Sequence, residues 1–175
     1  MNIVLIGYRC SGKSSVGRIL ALELEREFLD TDQMIENYYK ISIEEIVERE
    51  GWEYFRDIEK KVIGEVSEKE NKVIATGGGV VMDEGNLLSL RKKGFLIWLK
   101  AGREMICKRM GDDRMVGSVR PSLTGDHPED EIGKVLRIRE PYYKRAGNIA
   151  VDTNRMSELE VANEIIRRLP VEVTG

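Results

Sequence analysis

Brief apolar runs alternate with longer stretches of mixed character along the chain. Ile3–Ile6 is wholly apolar, and Phe28–Leu29, Lys72–Ala75, Phe95–Leu99 and Asn148–Val151 are similarly short and β-rich. Apolar runs without polar alternation read as strands buried on both faces. Between them, the spacing predicts a helix over Lys13–Glu27, with Val16, Leu20, Leu22 and Leu24 mostly on one side. Further helical segments are predicted over Ser42–Arg49 and Trp52–Glu68. Strands alternating with helices require crossover connections. The fold class is therefore α/β, with a parallel sheet covered by helices on both faces. Ligands of such sheets sit outside the carboxyl ends of the strands, so those turns carry the functional reading.

At 175 residues, one domain spanning 1–175 is expected. Basic and acidic side chains nearly balance, 28 against 31, which excludes a generic nucleic-acid binder. The cluster Arg91-Lys92-Lys93 precedes Gly94 at a predicted helix end, where cations stabilise the terminal carbonyls. Cys10 and Cys107 form no CxxC pair and accompany a single histidine, His127, which argues against a zinc site and a disulfide scaffold. His127 lies in a polar loop and is expected to play no catalytic part. No export signal opens the chain and no apolar stretch approaches a membrane span. The expectation is a soluble, cytoplasmic monomer without nucleic-acid or membrane partners.

The sharpest signal is Gly7-Tyr8-Arg9-Cys10-Ser11-Gly12-Lys13-Ser14, a GxxxxGK[ST] sequence between a predicted strand and a predicted helix. Gly7 and Gly12 let the backbone curl so that successive N–H groups, through Cys10, Ser11 and on to Ser15, face a phosphate. The helix N-terminus adds its positive dipole end. Lys13 brings a cation to the β- and γ-phosphates, and the Ser14 hydroxyl suits Mg²⁺. Cys10 is either a small loop filler or a thiol made reactive by its surroundings.

Other strand ends add acceptor chemistry. Asp30-Thr31-Asp32 places two carboxylates on one face of an extended segment. Asp30 suits a metal held through water, and Asp32 suits a group that orients or deprotonates an attacking hydroxyl. A solvated turn with Asp32 as a helix N-cap is the alternative. Arg56 and Glu59 share a helical face, so the carboxylate can hold the guanidinium as a fork for an acid; an ordinary surface ion pair is the competing explanation. Thr76-Gly77-Gly78-Gly79 marks either a close backbone approach or a flexible loop. Residues 111–128 carry Gly, Asp, Arg and Pro without apolar periodicity, and the segment is long enough to be a lid, a binding loop or disordered. Trp52 and Trp98 read as packing residues. Tyr142 and Tyr143 either line the site or pack in the core.

In order, GxxxxGKS, DTD, FRxxE (from Phe55), ATGGG (from Ala75), RPxL (from Arg120) and RxPYY (from Arg139) resemble the shikimate kinase family, from Gly7 to Tyr143. The resemblance implies a three-layer αβα P-loop kinase fold with a central five-stranded parallel sheet, substrate-binding helices over about 32–62 and a mobile lid over about 111–128. It implies Mg-ATP as phosphoryl donor, shikimate as small-molecule substrate through its 3-hydroxyl, and a place in aromatic amino-acid biosynthesis through chorismate. Carried over by motif, Asp32 binds the substrate hydroxyls and serves as base. Arg56 and Arg139 grip the carboxylate. Gly77, Gly78 and Gly79 meet the ring through their backbone. Arg120 moves with the lid toward the transferring phosphate, and Asp30 joins Ser14 around Mg²⁺. Arg109 packs on adenine, and Asp152-Thr153-Asn154-Arg155 is similar to the adenine-side turn, which places Arg155 with the nucleotide.

The chain departs from the family pattern at Cys10 for glycine, Ser122 for leucine, Val47 for an aromatic, and Ser157-Glu158 where proline is common. Two other readings compete. A gluconate-kinase-like enzyme has no need of two arginines beside three glycines. A non-catalytic nucleotide-binding regulator has no need to keep Lys13, Asp32 and Arg120 together.

Overall fold

The computed structural model describes residues 1–115, 121–125 and 127–174. Five parallel strands, β1 (Asn2–Ile6), β2 (Glu27–Asp30), β3 (Lys72–Ala75), β4 (Gly94–Lys100) and β5 (Ile149–Asp152), form one sheet in the order β2-β3-β1-β4-β5. The chain leaves β1 for one edge of the sheet and later returns to fill the other side. The strand order therefore reverses at β1, and a ligand crevice opens at its carboxyl end.

Alternation along the strands divides the core. Val4 and Ile6 of β1, Ile74 of β3 and Leu96 and Trp98 of β4 face one layer of helices. That layer includes α3 (Ile43–Glu68), α4 (Glu84–Lys93) and α6 (Pro128–Ala146). Ile3, Leu5, Val73, Ile97 and Leu99 face the opposite layer, which includes α1 (Lys13–Glu23) and α7 (Glu158–Arg168). Trp98 and Tyr143 stack within the first core, 6.0 Å between centroids, so both are packing residues. A smaller cluster joins Tyr8 to α5 (Arg103–Met115) and α6 through Ile106, Ile132 and Val135. The remaining helices are α2 (Thr31–Tyr39) and α8 (Val171–Thr174).

Several boundaries differ from the sequence expectation for identifiable reasons. Helix α1 stops at Glu23, not Glu27, because Arg26 N–H donates to Ala21 O (2.8 Å) and Glu25 N–H to Leu22 O (3.3 Å). This is a Schellman ending with Glu25 in the left-handed position, without the glycine that usually announces it. Leu22 is 78% exposed and does not share the buried face. The two segments expected around residue 50 run on as α3, opened by a Ser42–Glu45 capping box and broken at Gly51, whose φ is 84°. Asp30, not Asp32, caps α2: its side chain accepts from the N–H groups of Asp32 and Gln33. The segment assigned to a lid begins in helix, since α5 runs to Met115, and residues 116–120 with 126, Arg120 among them, lie outside the described residues. His127 is the exposed N-cap position of α6. Among the described residues, no helix is long and apolar enough to cross a membrane.

Candidate active site

The β1 turn builds a phosphate-sized cradle. Gly7 has φ 145°, and a Cβ there would lie 2.6 Å from the Leu99 carbonyl oxygen, so both conformation and space require glycine. Gly12, with φ 96°, occupies the N-cap of α1 and offers no capping side chain. The first N–H groups of α1 are thus left to an anion. Lys13, 8% exposed, folds over the loop and donates from Nζ to Gly7 O (2.9 Å) and Tyr8 O (2.7 Å). Ser14 Oγ donates to Asp30 Oδ2 at 2.6 Å, which joins the ends of β1 and β2.

A cavity of about 510 Å³ lies over this loop, lined by Cys10 to Val16 and by Thr76, Arg109, Thr153, Met156, Ser157 and Glu158. Arg109 is anchored at its far wall. Its Nη1 donates to Cys10 O (3.3 Å) and Thr153 Oγ1 (3.2 Å), and its Nη2 to Thr153 O (3.0 Å). Arg155 lines an adjoining cavity with Lys108, Asn154 and Met156, not the cavity over the loop. Ser157 caps α7 through Glu160, so the position that departs from proline has a local structural role.

A second cavity of about 380 Å³ lies on the other side of Asp32, lined by Arg56, Glu59, Gly77, Gly78, Gly79 and Arg139, with Trp52 and Phe55 as apolar walls. Glu59 Oε2 accepts from Arg56 Nη1 at 2.6 Å, and the Glu59 side chain is only 2% exposed. This is not the surface pair that local sequence allowed. Its other oxygen, Oε1, is buried without a hydrogen-bond partner. Burial pushes the Glu59 carboxyl above its ordinary range, and the Arg56 charge offsets only part of that. The Arg56 guanidinium also lies 5.3 Å from the Trp52 ring centroid, which helps fix its plane.

The three glycines are a close approach, not a slack loop. A Cβ on Gly77 would meet Glu59 Oε1 at 2.6 Å and Asp32 Oδ1 at 2.9 Å, and one on Gly79 would meet both Arg56 Nη atoms at 2.7 Å. Gly77 N–H donates to Thr31 Oγ1 (3.1 Å), and Gly78 O accepts from the Tyr143 hydroxyl (2.5 Å). Burial raises that hydroxyl's pKa to about 12, so it stays protonated and donating. Arg139 lies against Gly78 and 6.0 Å from the Tyr8 ring centroid, and lines the same cavity as Arg56.

The two cavities meet: Arg9, Ser14, Asp30 and Asp32 line both. One end of the combined cleft has the chemistry for a polyphosphate. The other presents two guanidinium groups, a carboxylate and bare backbone, the complement of a small hydroxylated acid. Local sequence gives no role to Glu131 or to the Arg9 side chain, and it assigns Trp52 to packing. Trp52 was within reach, because it stands one helical turn before Arg56. The others come from elements whose proximity no local pattern encodes.

Comparison with known proteins matches this geometry. The shikimate kinase family model matches residues 9–170. The shikimate kinase of Moorella thermoacetica is 44% identical over 94% of this chain and 91% of its own. That of Caldanaerobacter subterraneus subsp. tengcongensis is 41% identical over 95% and 94%. The solved shikimate kinase from Acinetobacter baumannii in complex with shikimate superposes with a TM-score of 0.88 at 34% identity, covering 95% of this chain and 90% of that one. The expected P-loop kinase architecture is the one observed. With a family match across nearly its whole length, and with the described motif residues gathered around the carboxyl ends of the strands, this chain belongs to the shikimate kinase family.

Proposed function

We propose that this chain transfers the γ-phosphoryl group of ATP to the 3-hydroxyl of shikimate, giving shikimate 3-phosphate and ADP on the route to chorismate and the aromatic amino acids. The observation that carries the reading is the meeting of the two cavities at Asp32, with the phosphate loop on one side and the Arg56–Arg139 pair on the other.

In this reading each wall of the cleft has a part. Arg56 and Arg139 together hold the acid's carboxylate, with Arg56 kept in place by Glu59 and Trp52. Gly77 to Gly79 leave room for the ring against the backbone. Asp32 then receives the ring hydroxyls, orients the attacking one and takes its proton as the bond to phosphorus forms. Lys13 exchanges loop carbonyls for phosphate oxygens and balances charge developing at the γ-phosphoryl group. Arg120 adds a second cation in this reading. Phosphoryl transfer gains mainly from such positioning, and the enclosing walls keep out water that would compete as acceptor. Arg109 and the Thr153 turn supply the nucleotide's far wall.

The residues present fit Mg²⁺. Ser14 Oγ and Asp30 Oδ2 are hard oxygen donors placed together at the start of α1. Among the described residues no group of three or more acidic, histidine or cysteine side chains forms a metal cage, which suits an ion held largely by phosphate and water. Bound there, the ion would neutralise β- and γ-phosphate charge.

A coupled ADP-release assay with Mg-ATP and separate shikimate, gluconate and AMP acceptors tests the proposal. Shikimate-dependent release with shikimate 3-phosphate as product is expected. Turnover only with another acceptor would overturn the roles of Arg56, Arg139 and the glycines. Nucleotide binding without turnover on any acceptor would favour a non-catalytic regulator.

A further inference from the structure

Arg9, the third residue of the phosphate loop, is 8% exposed and lines both cavities. Its Nη1 donates to Pro121 O at 2.9 Å, and its Nη2 pairs with Glu131 Oε1 on α6. Its Nε is buried without a partner. Glu131 is itself 2% exposed and uses its second oxygen differently. Oε2 accepts from Ser122 Oγ, Leu123 N–H (2.7 Å) and Thr124 N–H (3.0 Å). One carboxylate thus fastens residues 122–124 to α6 and, through Arg9, to the phosphate loop. Burial alone would push the Glu131 carboxyl up. The hydrogen bonds from Ser122, Thr124 and Leu123 and the Arg9 charge outweigh that and hold it below its ordinary value. Pro121 and Leu123, the residues so fastened, form a wall of the acceptor cavity.

Net stability is a weak explanation for a buried ion pair. Two ionisable side chains taken out of water gain little net stability over apolar packing, whereas such pairs are suited to fixing one arrangement. The arrangement fixed here is the distance between the loop that grips the nucleotide and the wall that encloses the acceptor. Tyr8 and Cys10, which flank Arg9, supply carbonyls to Lys13 and Arg109 respectively, so the Arg9 backbone follows the shape of the loop.

We propose that Arg9 and Glu131 are positioning residues that transmit occupancy of the phosphate loop to the acceptor wall at residues 121–124, so that nucleotide raises affinity for the acid acceptor. The inference rests on the activity proposed above. It assigns Arg9 no contact with the reacting atoms. Lysine at position 9 keeps the charge but cannot reach Pro121 O and Glu131 with a fork, so charge alone does not restore the link.

The test is a binding cycle read by intrinsic fluorescence, for which Trp52 in the acceptor cavity is the reporter. Shikimate affinity is measured with and without saturating Mg-ADP for the unaltered protein, Arg9→Met, Arg9→Lys, Glu131→Gln and the Arg9→Met/Glu131→Gln double variant. The unaltered protein should bind shikimate at least about fivefold more tightly with nucleotide present, the lower end of usual coupling. Each single variant should bring that ratio close to one, Glu131→Gln while leaving Mg-ADP affinity alone within about twofold, and the double variant should be no worse than the worse single. Glu131→Gln preserves side-chain shape and keeps the test open if Arg9→Met fails to fold. A ratio near one in the unaltered protein, or a ratio preserved in the singles, overturns the proposal. So does additive loss in the double variant, or a parallel loss of both affinities with falling Tm, which is the mark of a merely structural pair. Turnover of the unaltered protein with shikimate, measured alongside, separates these outcomes from failure of the activity itself.

Discussion

Gly79 has φ −101° and ψ −8°, outside the left-handed region that favours glycine, so Gly79→Ala tests chiefly space. The added methyl would sit 2.7 Å from both Arg56 Nη atoms and 2.8 Å from Cζ, where ordinary contact begins at 3.4 Å. The guanidinium must give way, and it can: Arg56 is 33% exposed and ends a flexible side chain. Restricting the unfolded chain favours the alanine variant by about 0.4–1 kcal/mol, which offsets the disturbed Arg56–Glu59 pair. The variant should therefore unfold within about 3 °C of the unaltered protein, given the small Tm response of a chain this size. Function should respond differently. A displacement approaching 1 Å in a positioning group costs up to about 100-fold, so kcat/KM for shikimate should fall about 10- to 100-fold, or about 1.4–2.7 kcal/mol of transition-state stabilisation. KM for ATP should stay within about twofold, because the phosphate loop is untouched. Steady-state ADP release at varied shikimate and varied ATP, with calorimetric Tm, measures all three quantities. Unchanged shikimate kcat/KM would refute the close approach of Gly79 to a functional Arg56. An equal loss for ATP would show that the damage is not local.

Asp32→Asn should cut kcat by about 100- to 10,000-fold while nucleotide binding is retained; single-turnover kinetics with a separate nucleotide titration decides it, and undiminished turnover removes Asp32 from the chemistry. Glu59, whose carboxyl is raised above 4.5 by burial, leaves the native state binding more protons than the unfolded chain between 4.5 and the raised value. Its stability contribution is therefore full below 4.5 and lost as pH rises through the native pKa. Urea midpoints should show the unaltered protein losing ground to Glu59→Gln as pH rises across that window, and the opposite slope would contradict the burial argument. Tyr143→Phe removes the donor to Gly78 O and should cost about 1–3 kcal/mol of stability. It should also raise KM for shikimate more than for ATP, and an equal rise for both would detach Gly78 from the acceptor site.

The nucleotide end was legible in the sequence because it is contiguous: one strand, Gly7 to Ser14 and one helix carry the loop, and backbone geometry within a single turn depends on nearby residues. The α/β class was legible for a similar reason, since apolar periodicity is local and parallel strands need crossovers. The acceptor residues were recognisable as an ordered set of motifs, yet their meaning was not local. From local sequence alone Arg56 and Glu59 read as a surface pair, until α3 packed Glu59 against Gly77 and out of water. The end of α1 was misread because Glu25 does what glycine usually signals. Only the tertiary structure decided that Arg109 braces the Thr153 turn, that Arg155 faces an adjoining cavity, and that Arg9 meets Glu131, 122 positions away. Those contacts join elements separated by whole crossovers. Which side chains meet there depends on strand order and helix packing, and short-range periodicity carries no information about either.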